Sequence, residues 1–328
     1  MAALEVEGLT KDYGEVLAND DVSFSVEAGE VFGYLGPNGA GKTTTIRTVM
    51  GFQSPTSGGA TVLGHDVTEE DDLIAAKRRI GYLPSHPSFD EEVTGREILD
   101  LHASIKGDER RGELLESFDP PLDRKVRNYS TGNVQKLGLV LAFMHDPDLV
   151  MLDEPTGGLD PLMQRAFNEF IDAERERGLT VFLSSHILSE VRRVCDRVGI
   201  LRGGRLVTTE RIEDLLHRTG KFVRVRVAGE VSGDAFDVDG VHDVSCSTTT
   251  ASQAGSDGSE DASDSAFPND ATDTPSVEGP VTECTFTFTG NVNDLIGRFD
   301  RHTILDLDVQ EAPLEDVFMR FYGGDSDA

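Results

Sequence analysis

Along the first thirty residues large apolar and polar side chains alternate: Leu4-Glu5-Val6-Glu7, then Val22-Ser23-Phe24-Ser25-Val26, with turns at Gly14 and Ala28-Gly29. A period of two over runs this short predicts half-buried strands paired antiparallel. The pattern then changes. Val31-Phe32-Gly33-Tyr34-Leu35 has no polar side, and neither does Leu149-Val150-Met151-Leu152. Thr180-Val181-Phe182-Leu183-Ser184 and Val198-Gly199-Ile200-Leu201 read the same way, with helical stretches between them. Continuous apolar runs in alternation with helices predict a mostly parallel sheet covered on both faces, an α/β core.

Residues 59–64 predict another strand, 66–79 carry charges at helical spacing, and 79–84 read as a strand and its exit. Residues 94–118 follow an amphipathic helical period, Pro120-Pro121 breaks it, and a further helix is predicted from Thr131 to Met144. These helices form an insertion, about 85–145, between two core strands. After Lys221 the alternation returns in Phe222-Val223-Arg224-Val225-Arg226-Val227 and Thr285-Phe286-Thr287-Phe288. A short helix over 293–299, a strand over 304–309 and a closing helix over 314–322 complete a small α+β domain. Residues 246–280 hold Ser, Thr, Asp, Gly and Ala and almost no large apolar side chain. Such a tract buries too little to offset its ordering entropy and is predicted to be a disordered acidic insertion. The expected domains are 1–218 and 221–323.

The chemistry starts at Gly36-Pro37-Asn38-Gly39-Ala40-Gly41-Lys42-Thr43-Thr44, placed after the first continuous apolar run and before a helix. Gly-x4-Gly-Lys-Thr in that context is a phosphate-binding P-loop. Its glycines let successive N–H groups point inward at a phosphate chain, and the helix opening near Lys42 adds its positive end. Lys42 is expected at the terminal phosphates and the Thr43 hydroxyl on Mg2+. The second half of such a site is a buried strand ending in carboxylates, here Asp153-Glu154. Asp153 is expected in the Mg2+ shell, and Glu154 as the general base that polarises the attacking water. Tyr13, between Asp12 and Gly14 on a predicted loop, is either an adenine-stacking ring or a plain surface tyrosine.

Composition narrows the setting. The chain of 328 residues carries 60 acidic and 30 basic residues, a formal net charge of −30. An acid surplus spread along the chain, with lysine scarce, predicts a protein working in concentrated salt, as in a halophile. It excludes a non-specific nucleic-acid binder, which needs a basic footprint. Three cysteines, 195, 246 and 284, show no paired spacing, so neither a disulfide framework nor a zinc site is predicted. The first residues lack the basic and apolar regions of a secretion signal. The longest apolar run, 137–144, is far too short to span a bilayer, so the chain is expected in the cytoplasm, with any membrane contact made through a partner.

These motifs, across about residues 3–215, resemble the ATP-binding cassette family closely. Tyr129-Ser130-Thr131-Gly132-Asn133-Val134-Gln135-Lys136 resembles its signature motif. Gly158-Leu159-Asp160 resembles the D-loop, and His186 in Ser184-Ser185-His186 the switch histidine. The resemblance implies a P-loop NTPase core of the RecA-like kind, with an antiparallel β subdomain and the helical insertion. It implies that Tyr13 stacks on adenine and that His186 touches the terminal phosphate. It also implies that Ser130, Thr131, Gly132, Asn133 and Asp160 complete an ATP site across a dimer.

Two positions depart from the family. Ser85, after Tyr82-Leu83-Pro84, stands where Gln or Glu usually senses Mg2+, so a metal contact from it needs a bridging water. The signature reads Ser-Thr-Gly-Asn rather than Ser-Gly-Gly-Gln. The tail Ala312-Pro313-Leu314-Glu315-Asp316-Val317-Phe318 resembles cassettes of the multidrug or sodium-efflux export type. The resemblance therefore implies an ATPase subunit with ATP and Mg2+ as ligands. Its partners would be a second cassette, identical or a paralogue, and an integral membrane permease that holds it at the cytoplasmic face. The alternative is a soluble cassette ATPase acting on ribosomes or DNA.

Overall fold

In a computed structural model of the chain, the strand that leads into the P-loop, β3 (Val31–Leu35), is buried at every residue. The structure describes residues 2–219, 221–231, 240–249, 279–290, 295–297 and 302–311. The chain divides into two compact units, Met1–Glu213 and Asp214–Arg320. The division falls inside one helix, 212–219, where the sequence predicts a domain end at 218.

The first unit holds two sheets. β1 (Ala2–Asp12) and β2 (Leu17–Glu27) pair antiparallel, and β4 (Ser57–Val62) and β5 (His65–Asp66) extend their sheet in the order β2-β1-β4-β5. The second sheet contains β6 (Ile80–Leu83), β7 (Leu149–Asp153), β8 (Thr180–Ser185), β9 (Arg197–Arg202) and β10 (Arg205–Arg211) around β3. Its order is β10-β9-β3-β8-β7-β6, parallel except for the β9–β10 hairpin. Phe24 on β2 meets Phe32 and Tyr34 on β3 and Phe182 on β8 with ring centroids 5.3–5.8 Å apart. This aromatic cluster is the seam between the two sheets, and it explains why β3 and β8 carry bulky residues on that face.

α1 (Lys42–Val49), α2 (Glu70–Arg78), α6 (Pro161–Glu176) and α7 (Leu188–Val194) follow strands. The insertion contains α3 (Gly95–Lys106), α4 (Arg111–Phe118), a 3-10 turn (Val126–Asn128) and α5 (Thr131–Phe143). The sequence predicts one helix over 94–118, but the structure divides it at Gly107, whose φ of 100° ends α3. A helical period read from the sequence does not mark which glycine is tolerated inside a helix and which takes a positive φ and ends it. Thr94 starts α3 with a capping box, its hydroxyl accepting from the Glu97 N–H while the Glu97 carboxylate accepts from the Thr94 N–H.

α8 (Ile212–Thr219) leads to the second unit. There β11 (Lys221–Ala228), β12 (Val241–Thr249), β13 (Val281–Phe288) and β14 (Ile304–Glu311) form an antiparallel sheet ordered β12-β13-β11-β14. One face buries Val223, Val225, Val227, Cys284, Phe286 and Phe288 with Leu295 against it. Two expectations need correction here. Cys246, Ser247, Thr248 and Thr249 belong to β12, paired with β13, rather than to a disordered tract. Their small polar side chains suit an edge strand, where half the residues face water. Cys246 and Cys284 are also bonded as a disulfide, contrary to the cysteine spacing argument. They stand directly opposite each other in the β12–β13 register, a neighbourhood that spacing along the chain does not encode. The rest of the predicted disordered tract, 250–278, and the closing helix over 314–322 lie outside the described residues.

Candidate active site

Neighbouring parallel strands end together, so the loops after β3, β7 and β8 converge at one edge of the sheet. The P-loop leaves β3 there. Gly41 has φ 107°, and a Cβ at that position would run into the Ala18 carbonyl, so the turn requires glycine. Lys42, 5% exposed, folds back over the loop and donates from Nζ to the Gly36 carbonyl at 2.7 Å and the Pro37 carbonyl at 3.2 Å. Burial pushes its ammonium below the ordinary lysine range, while the carboxylates of Glu154 and Asp153 pull it back up.

At the end of β7 the Asp153 carboxylate is fully buried and is held by two hydroxyls. Thr43 Oγ1 donates to Oδ2 at 2.8 Å, and Ser184 Oγ donates to Oδ1 at 2.5 Å. Glu154, the next residue, takes φ 51°, a left-handed conformation that costs a non-glycine residue about 1–2 kcal/mol. Its N–H donates to the Ser184 carbonyl at 3.1 Å. The turn aims its carboxylate between two bases, with Lys42 Nζ at 3.5 Å and His186 Nδ1 at 3.0 Å. Tyr13, Val16, Ala18, residues 38–44 and Glu154 line one cleft of about 480 Å3. Thus Tyr13, Asn38, Gly39, Ala40, Gly41, Lys42, Thr43, Thr44 and Glu154 border a common space; Gly36 and Pro37 supply carbonyls to Lys42, and Asp153 and His186 bond to its rim.

The remaining predicted residues stand elsewhere in the unit. Ser130 caps α5, accepting from the Asn133 N–H at 3.3 Å. Asp160 caps α6, accepting from the Met163 N–H at 2.9 Å. Gly158 has φ 76°, and a Cβ there would stand 2.9 Å from the Thr131 methyl, so signature segment and D-loop pack on each other. Gly132 faces the same Gly158 backbone. None of these five residues lines the cleft. Ser85 Oγ lies 3.2 Å from His86 Nδ1, its hydrogen-bond partner, and is not among the residues that line the cleft.

Sequence reasoning passed over Glu190. Its carboxylate accepts from Thr156 Oγ1 at 2.5 Å and from Ser185 Oγ at 2.7 Å, tying the loop after β7 to the loop that carries His186. The available signal was its place one helical turn after His186. Gln135 was missed too; its amide donates to the Pro155 carbonyl at 2.8 Å and so joins α5 to the loop after Glu154.

The residues fit a nucleoside triphosphate with Mg2+. A Cβ at Gly36 or Gly41 would run into the Leu201 or Ala18 carbonyl, so the loop keeps its backbone bare there, and an ammonium already bonded to carbonyl oxygens can exchange these for phosphate oxygens. The hydroxyl of Thr43 and carboxylate of Asp153 are the hard oxygen donors that Mg2+ takes.

Residues 19–157 match the family described as ABC transporter. The chain is 39% identical over 217 residues to the uncharacterized ABC transporter ATP-binding protein YhcH of Bacillus subtilis, covering 64% of this chain and 70% of the relative. It is 36% identical over 233 residues to the bacitracin transport ATP-binding protein BcrA of Bacillus licheniformis, covering 69% and 76%. Among solved structures, an ATP-binding subunit of an ABC transporter superposes with a TM-score of 0.60 at 34% identity, covering 66% of this chain and 92% of that one. A dimeric cassette bound to ADP and Pi shares the fold, with a TM-score of 0.59 at 23% identity, covering 64% of this chain and 98% of that one. The chain belongs to the ATP-binding proteins of ABC transporters, a family of ATPases.

Proposed function

We propose that this chain hydrolyses ATP at the cleft between Tyr13 and Glu154 and that the cycle powers export through a separate membrane permease. The observation that carries the reading is the Glu154 carboxylate, turned out of β7 by a left-handed residue and flanked by Lys42 and His186. Backbone strain of this kind persists where surrounding bonds hold it and where function needs the side chain so placed. Lys42 exchanges its bonds to Gly36 and Pro37 for oxygens of the terminal phosphates, which offsets its burial. Tyr13 takes the base. Glu154 polarises the attacking water and accepts its proton, and His186 holds the terminal phosphate in line. Thr43 and Asp153, with Ser85 through a water, would hold Mg2+, which would supply neutralisation of phosphate charge.

The signature residues Ser130, Thr131, Gly132 and Asn133, with Asp160, serve the cleft of a second cassette, since they lie off the cleft of their own chain. Exposed helix caps suit that use, because an uncovered helix N-terminus attracts phosphate. A domain boundary near 218–221 would leave the cassette whole and set the C-terminal sheet apart from it.

Export is supported by relatives named for bacitracin transport and, in Escherichia coli, as a probable multidrug ABC transporter ATP-binding protein. Among the described residues no helix is long and apolar enough to cross a membrane; in this reading the permease is a separate chain that holds the cassette at the cytoplasmic face. Action on ribosomes or DNA is not favoured, with a net charge of −30 and relatives named for transport. Hydrolysis is tested by phosphate release from the purified chain with Mg2+ and ATP in molar salt; a rate equal to that of a Glu154→Gln variant would refute the site. Affinity capture from membranes should retain a multi-span protein, and capture of none would refute the coupling.

A further inference from the structure

Tyr13 is more than half exposed at the end of β1, yet its ring is not free to swing. Its hydroxyl donates to Gln53 Oε1 at 2.6 Å. Gln53 Nε2 in turn donates to the Thr44 carbonyl at 3.0 Å and to Thr48 Oγ1 at 2.9 Å. Thr48 Oγ1 donates to the same Thr44 carbonyl at 2.8 Å. A carbonyl accepts only, so the amide orientation of Gln53 is fixed by chemistry, with nitrogen toward α1 and oxygen toward Tyr13. Thr44 closes the phosphate loop. The ring and the phosphate-binding helix are therefore tied through one side chain.

A second contact sets which ring face is open. Lys11 Nζ stands 5.1 Å from the Tyr13 ring centroid and donates to the Ser54 carbonyl at 2.7 Å. Gln53 and Ser54 are consecutive, so the turn after α1 holds both the tip of the ring and the cation that covers one face. A purine stacks on a ring face that is clear, and a ring plane set before the ligand arrives lowers the ordering cost of binding. The Lys11 face is taken, which leaves the other for the base.

We propose that Gln53 is a positioning residue for the base end of the nucleotide: through the Tyr13 hydroxyl it holds the ring at a fixed distance from the P-loop, so the site measures base and phosphates against one frame. The proposal rests on the reading of Tyr13 as the base contact. It assigns Gln53 to recognition of an aromatic base, with no share in gripping phosphate. A role confined to supporting α1 would weaken both together.

Isothermal titration of the full chain with ADP and with pyrophosphate, each with Mg2+ in molar KCl, separates the two. Tyr13→Phe removes the Tyr13–Gln53 hydrogen bond alone, and Gln53→Leu removes it together with the two bonds to Thr44 and Thr48. Each is expected to weaken ADP roughly three- to tenfold, the range that loss of one hydrogen bond gives. The double variant should be no weaker than Gln53→Leu alone, because the shared bond is already gone there. Pyrophosphate affinity should not move. Equal weakening of pyrophosphate by Gln53→Leu, an additive double variant, or unchanged ADP affinity in Tyr13→Phe would each overturn the proposal. Tyr13→Phe keeps it testable if Gln53→Leu does not fold, since the altered atom lies on an exposed ring. Tyr13→Ala tests the parent reading separately: wild-type ADP affinity there would remove the base contact itself, whatever Gln53 does.

Discussion

Arg110 and Glu174 join the helical insertion to the ATPase core by a buried two-pronged ion pair, Nη1 to Oε2 at 2.5 Å and Nη2 to Oε1 at 2.6 Å. Arg110 immediately precedes α4 and Glu174 lies on α6, and both side chains are buried. Its N–H also donates to the Met144 carbonyl at the end of α5. The helix that begins with the signature segment is thus anchored at its far end to the same arginine. Removing one partner of a buried pair costs about 3–5 kcal/mol where nothing else meets the stranded charge, but Arg110 also donates to the Glu113 carboxylate, Nη2 to Oε1 at 2.8 Å. Glu174→Ala is therefore expected to lower stability in urea denaturation by less than that full penalty, about 2–3 kcal/mol. Arg110→Met with Glu174→Leu should recover most of it, because two apolar groups leave no charge stranded. A double variant as unstable as the single one would contradict this account.

At the site, Lys42 and Glu154 separate binding from chemistry. Lys42→Ala removes the only cation lining the cleft among the described residues and should abolish turnover and weaken ATP strongly. Glu154→Gln keeps shape and removes the base, so ATP binding should survive while hydrolysis falls about 10²–10⁴-fold. The trapped nucleotide should then hold two chains together, seen as an ATP-dependent dimer in size exclusion. A Glu154→Gln chain that turns over at more than a tenth of the normal rate would show that another group takes the proton.

The core was legible because its signals are local. Val31-Phe32-Gly33-Tyr34-Leu35 followed by a glycine loop admits one arrangement, and the buried run ending at Asp153-Glu154 supplies its neighbour. What the sequence hid depends on distant partners. Cys246 and Cys284 are 38 residues apart and meet only through strand register. Glu190 and Gln53 look in sequence like any solvated polar residue near a helix. Their roles come from Thr156, Ser185, Tyr13 and Thr44, which the fold carries to them. Gly107 was visible, but nothing before the structure marked it as a break rather than a tolerated glycine in a helix.

Salt should stabilise this protein, because 60 acidic residues against 30 basic ones repel one another in the folded state. At 1 M ionic strength the Debye length is about 3 Å, against about 10 Å at 0.1 M, so most surface repulsion disappears. The melting temperature is expected to rise steadily from 0.1 M (about physiological strength) to molar KCl. Buried contacts such as Arg110–Glu174 are screened far less and should not reverse the trend. A melting temperature that is flat or falls over that range would argue against a protein adapted to concentrated salt.

His145 gives the fold a pH dependence on the acid side. The ring is buried, with Nε2 3.2 Å from the Ile80 carbonyl, while Nδ1 meets no partner. Burial, then the Lys106 cation, pushes its pKa down to about 4 from an ordinary 6.5, with His102 adding in the same direction; the Ile80 carbonyl and Glu109 act the other way. Lys106 Nζ donates to that same carbonyl at 2.8 Å, so a protonated ring would share an acceptor with an ammonium. The sign follows from the neutral folded form. Above pH 6.5 neither state is protonated and the histidine has no effect on stability. Between 6.5 and 4 the unfolded chain takes the proton and the folded one does not, so stability falls as pH falls, by about 2 kcal/mol across the window. Carboxylates titrate in the same range, so the readout is the difference between the native chain and His145→Gln in urea denaturation at pH 7 and pH 4.5. The gap between the two should shift toward the variant by about that amount as pH falls. Molar salt should trim only the share due to Lys106, since screening does not reach the burial term. A gap that stays constant with pH would mean that the ring is protonated, and satisfied, inside the fold.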